Sequence, residues 1–126
     1  MRLEFARIVV GSGSAFDLFL TCEIKAAALV KAPTSPAVVD TFLAQNIEEA
    51  AGVKQQLQAD AKRLPGLRLL DGRFMVIKQA MGIPKGRESG LKYVRDFVKE
   101  MKALGLVAQA LKRHRTEGAA VAAAQP

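Results

Sequence analysis

The segment Ile8-Val9-Val10-Gly11-Ser12-Gly13-Ser14-Ala15-Phe16-Asp17-Leu18-Phe19-Leu20 constrains this chain most. A β-branched apolar run too short for a helix ends in a Gly/Ser turn and passes into an amphipathic pattern. A helix begun this way directs free backbone N–H groups, and the positive end of its dipole, at whatever lies above the turn. Ser12 and Ser14 add hydroxyls that cap the helix or meet an anion. Gly11, Ser12, Gly13, Ser14 and Ala15 therefore read as a seat for a carboxylate or phosphate, with a plain N-cap as the bland reading of the same residues.

The same grammar recurs. Leu3–Val10 is the first expected strand and Phe16–Ile24 the first helix, with Phe16, Phe19 and Leu20 on one side. Ala26–Val30 is a second strand. Ser35 then suits an N-cap and Pro36 the first helical position, opening a helix to about Gln45 that buries Val38, Val39, Phe42 and Leu43. Ala50–Val53 is a small-residue third strand, and Lys54–Leu64 a helix stopped by Pro65-Gly66. Leu67–Leu70 and Phe74–Ile83 read as a fourth and a fifth strand. Glu88–Leu104 is the longest helix, striped by Leu91, Val94, Phe97, Val98 and Met101. Gly105 breaks it, Leu106–His114 is the last helix, and the Ala/Gly-rich tail from Thr116 is expected to fray.

Strands alternating with helices imply right-handed βαβ units and a mainly parallel sheet with helices on both sides, a three-layer α/β sandwich. Ligands bind such sheets beyond the carboxyl ends of the strands. Gly11–Ala15, Lys31–Ser35 and Val53–Gln56 converge there, which adds Thr34, Lys54 and Gln55 to the candidate ligand-binding residues.

At 126 residues the chain can bury a core of its own. Its charge is divided: residues 1–60 carry five basic and seven acidic side chains, residues 61–126 fourteen and five. A basic half suits an anionic partner, so a basic interaction protein, binding nucleic acid or acidic lipid through residues 88–115, is the alternative reading. The lone Cys22 forms no internal disulfide and is expected as a buried thiol. No apolar run spans a bilayer, and Met1–Arg7 lacks a signal-peptide pattern. The Gly11–Phe16 run matches only half of a dinucleotide fingerprint. One Cys and one His supply no zinc site, and His114 sits among surface cations. Neither a catalytic constellation nor a cofactor or metal site is visible, so no enzyme is expected.

In order and spacing, four stretches carry a resemblance: Val9–Asp17, Ala32-Pro33-Thr34-Ser35-Pro36, Ala50-Ala51-Gly52-Val53-Lys54-Gln55, and Gly72-Arg73-Phe74 through Ala80–Gly86. The chain resembles the bacterial extracytoplasmic solute-binding proteins of ABC transporters, of the polar-amino-acid type. The resemblance implies a type II periplasmic-binding-protein lobe. Residues 1–74 are similar to the second of two lobes, 75–115 to a return crossing strand and C-terminal helices, and 116–126 to a flexible tail. The family's first-lobe segment has no counterpart in this chain.

The resemblance further implies a periplasmic location, a transporter permease as partner and no nucleic acid. The family's Gly-x-Ser/Thr turn, which holds the solute carboxylate, falls on Gly11–Ala15. Where the family commonly places an Asp for the solute ammonium, this chain has Lys54-Gln55-Gln56. An unpartnered ammonium in a partly desolvated site costs about 2–5 kcal/mol, which favours a carboxylate or other anion over an amino acid. The stripe Leu91–Met101, left uncovered without the first lobe, implies a homodimer through the C-terminal helices.

Overall fold

The structure, a computed structural model, describes residues 6–123. It is mixed α/β, with a small open sheet of three parallel strands and five α-helices, in two compact units, Met1–Gly72 and Arg73–Pro126.

In the first unit β1 (Arg7–Gly11) leads into α1 (Ala15–Glu23), then β2 (Ala28–Ala32). One 3-10 turn at Ser35–Ala37 opens α2 (Val38–Ala44), followed by β3 (Glu49–Ala50) and α3 (Lys54–Arg63). The strand order is β2-β1-β3, all parallel, with Val9 opposite both Val30 and Ala50. β1 is central, so Ile8, Val9 and Val10 are all buried and their run is continuously apolar rather than alternating. Val9 packs with Ala32, Val38 and Ile47, and Phe42 lies half-buried against that cluster. α1 and α2 both pack on β1 and β2, and α2 also packs on β3.

Several expectations are corrected. The 3-10 turn has Thr34, not Ser35, in the capping position, and Leu43 is exposed while Val38 and Val39 are buried. α1 buries Phe16, Asp17 and Leu20, leaving Phe19 37 % exposed. Cys22 is exposed, because it falls on the side of α1 opposite Phe16 and Leu20. The described part of the first strand begins at Arg7, and Leu3–Phe5 lie outside the described residues.

Leu67–Leu70 and Phe74–Ile83 form no strand. Their apolar residues supply β-propensity, but a strand also needs a neighbour for its N–H and C=O groups. The β3 edge pairs over two residues only. Leu69, Leu70, Val76, Ile77 and Met81 accordingly stay exposed.

In the second unit α4 (Glu88–Ala103) and α5 (Leu106–Arg113) pack on each other. Gly105 joins them in the left-handed region (φ 73°), which glycine adopts without a Cβ penalty. Neither helix contains a buried residue. Residues 116–123 form no helix or strand, and 124–126 lie outside the described residues.

Candidate functional site

Parallel pairing puts the ends of β1 and β2 at one edge of the sheet, with Gly11 opposite Ala32. The Ser12 amide donates to the Ala32 carbonyl at 2.9 Å, which carries the ladder one residue past the strand. A Cβ on Gly11 would lie 2.7 Å from Ser35 Oγ and 2.8 Å from Ser35 Cα. Only glycine permits that approach. It brings the turn after β1 against the turn after β2, so Gly11–Ser14 and Thr34-Ser35 share one rim.

The hydroxyl-bearing Ser12, Thr34 and Ser35 are exposed there, and Ser14 is half-buried. On the far side of β1, the Ala51 amide donates to the Val9 carbonyl at 3.0 Å, and three residues later α3 opens with Lys54, exposed, and Gln55, half-buried. No side chain caps that helix end.

The turn is not an empty anion seat. Ser14 caps α1, accepting from the Asp17 amide at 3.2 Å, and Asp17 reaches back so that the Gly13 amide donates to its Oδ2 at 2.8 Å. The Ser14 amide donates to the Gly11 carbonyl at 3.1 Å. With Ser12 bonded to Ala32, three successive amides of the turn are donated within the chain. Asp17 itself is 2 % exposed. Its Oδ1 accepts from Thr21 Oγ1 at 3.2 Å and pairs with Lys31 Nζ at 3.2 Å. The Gly13 amide holds this carboxyl below the usual carboxylate range, helped by Lys31 and opposed by burial. Gly13 takes φ 71°, the conformation that lets the turn close on Asp17.

Asp17 was not among the residues expected at the site, and Lys31 was expected there only as the start of the Lys31–Ser35 segment. The Asp17 signal was legible: Ser14-Ala15-Phe16-Asp17 has capping-box spacing, with an acid three residues after the cap. The Lys31 partnership was not, since it depends on α1 lying on β2.

At the opposite edge of the sheet, Arg7 donates from its backbone amide and from Nε to Glu48 Oε2, at 2.9 and 3.1 Å, and from Nη2 to Asn46 O at 2.7 Å. The side-chain and backbone bonds from Arg7 to Glu48 draw that carboxyl down to about 2. On α3, Asp60 is buried and accepts from Gln56 and Arg63, while Arg63 also lies 3.6 Å from Asp40 of α2. In both clusters these charges are paired with one another within the fold.

Comparison with protein-family models, curated proteins and solved structures finds no match. The rim is therefore read from its own geometry. It is an open edge. Concave surfaces of about 490 and 350 Å³ occur in the second unit, along Ala108–Val121 and Ile83–Leu91, and neither includes a rim residue. Among the described residues no group of three or more His, Cys, Asp or Glu is placed to hold a metal ion, and no helix is long and apolar enough to cross a membrane.

Proposed function

We propose that this chain is a solute-binding component of an ABC transporter, and that the carboxyl edge of its sheet takes a small anionic or amino-acid-like solute. The observation that carries the reading is the close approach of Gly11 to Ser35, which joins two strand-to-helix turns into one hydroxyl-lined rim. Parallel α/β sheets bind ligands at that edge because helix N-termini and loop donors gather there. The strand order β2-β1-β3 with right-handed crossovers would set α1 and α2 on opposite faces, which supports reading this unit as a periplasmic-binding-protein type II-like lobe.

In this reading Ser12 and Thr34 hydrogen-bond the solute and Lys54 supplies the positive charge, with Gln55 beside it. The Gly13 amide and Asp17 shape the turn from within rather than touching the solute. The same role implies a transporter permease as a further partner and a location outside the cytoplasmic membrane.

A thermal-shift and calorimetric screen with amino acids, dicarboxylates and inorganic phosphate tests the reading. A solute present at 100 times its Kd stabilises the folded chain by about 2.7 kcal/mol, and Ser12→Ala, Thr34→Ala and Lys54→Ala should each weaken that effect. No shift with any solute class, beside steeply salt-dependent binding of duplex DNA by residues 88–115, would replace this reading with that of a basic interaction protein.

A further inference from the structure

We infer that the solute of this rim is a small oxyanion that carries no ammonium group, because the rim offers lysines and hydroxyls but no free carboxylate. This inference rests on the solute-binding reading above and narrows its substrate class.

Charge carries the argument. The exposed hydroxyls of Ser12, Thr34 and Ser35 donate and accept alike, so they serve an anion or an ammonium equally well. The segments that form the rim, residues 11–17, 31–35 and 53–56, hold two lysines, Lys31 and Lys54, and one acid, Asp17.

Asp17 is already in use. Its side chain is 4 % exposed and both of its oxygens are engaged. Oδ2 accepts from the Gly13 amide at 2.8 Å, and Oδ1 takes Thr21 Oγ1 and Lys31 Nζ, each at 3.2 Å. The acids of the neighbouring elements are committed or set back from the edge. Asp40 of α2 lies 3.6 Å from Arg63, and buried Asp60 of α3 accepts from Gln56 and Arg63. Glu48 is bonded to Arg7, and Glu49 lies opposite Ile8, three residues before the Gly11 end of β1.

The cations stand in water. Lys31 keeps 54 % of its side chain exposed while it pairs with Asp17, and Lys54 is exposed at the first position of α3. The Lys31–Asp17 pair is neutral as a unit, which leaves Lys54 as the net charge of the rim. The amide end of α3 adds partial positive charge beside it. An oxyanion offsets that charge. An ammonium meets like charge with no acid to balance it.

Calorimetry on the full chain at neutral pH tests this with matched pairs, succinate against aspartate and glutarate against glutamate, which differ by the α-ammonium. Inorganic phosphate separates a phosphate source from a carboxylate one. In at least one pair the ammonium-free member should bind about tenfold tighter or more, or phosphate should bind alone. Lys54→Asp places an acid at the rim and suits the first turn of a helix. It should erase or reverse the preference, while Lys54→Gln should weaken the oxyanion without strengthening the amino acid. Thermal melts check that both variants stay folded. Aspartate or glutamate binding as tightly as its partner, or a preference that Lys54→Asp leaves unchanged, overturns this inference while the solute-binding reading stands. No binding of any of these compounds overturns both.

Discussion

The Gly13 amide donates a 2.8 Å hydrogen bond to Asp17, whose side chain keeps 4 % of its surface in water. A turn that looks like a receptor for an external anion is closed by the chain's own carboxylate. Two carboxylates at one turn repel, so a solute that reached the Gly13 amide would have to displace Asp17.

Asp17 should make stability depend on acid. Its folded pKa is depressed by the Gly13 amide and then by Lys31, so its stabilisation is complete above the ordinary value of 3.8 and is lost as pH falls through the lower folded value. Asp17→Asn should lower the Tm at pH 7. The gap between variant and wild type should close below pH 3.8. Thermal melts from pH 2 to 7 check both outcomes.

Glu48 should act the same way at the other edge. Its carboxyl lies near 2 against an ordinary 4.5, so the contribution of the Arg7 bonds is present above pH 4.5 and disappears toward pH 2. With both side chains more than 40 % exposed, the effect at neutral pH should be small and salt-sensitive. Denaturant midpoints of Glu48→Gln at low and high salt measure it.

Gly11→Ala and Gly13→Ala should fail for different reasons. At Gly11 the new Cβ meets Ser35 backbone atoms at 2.8 and 2.9 Å, so the two turns must separate at a cost of about 1–3 kcal/mol. At Gly13 nothing lies within 4 Å, and only the positive φ is strained, at about 1 kcal/mol. Urea unfolding gives the stabilities. Solute affinity should fall more in Gly11→Ala, since only that change moves Ser12 from Thr34.

Val9→Ala should be among the more damaging single truncations in the sheet. Val9 is fully buried between Ala32, Val38 and Ile47, and removing its two methyls should cost about 1.5–3 kcal/mol. Leu43→Ala, at a residue 45 % exposed, should cost less than about 1 kcal/mol. Chemical denaturation of both variants side by side tests the ranking.

Much of the local order was written along the chain. Period and punctuation located α1, α3, α4 and α5 to within a residue or two, because caps, apolar spacing and breakers such as Pro65-Gly66 and Gly105 act over a single turn. The Ala15 start of α1 follows from the Ser14 cap, and the end of α4 from a glycine free to take a positive φ. The convergence of Gly11–Ser14 with Thr34 at one edge was also foreseeable, since parallel β1 and β2 must end on the same side.

What sequence could not decide was whatever needed a second element. Leu67–Leu70 and Phe74–Ile83 have strand composition but form no strand, because strand formation is a property of a pair rather than of one segment. Cys22 and Leu43 are apolar by type and exposed by the facing of their helices. Asp17 is the sharpest case. Spacing after Ser14 marks this carboxylate as part of the helix cap, where the turn gives the Gly13 amide to one oxygen, but only laying α1 on β2 brings Lys31 to the other. Local sequence set where each helix and turn begins, because capping and backbone freedom are short-range. Tertiary packing alone determined which surfaces are covered and which charges meet, because burial and ion pairing depend on what arrives from elsewhere in the chain.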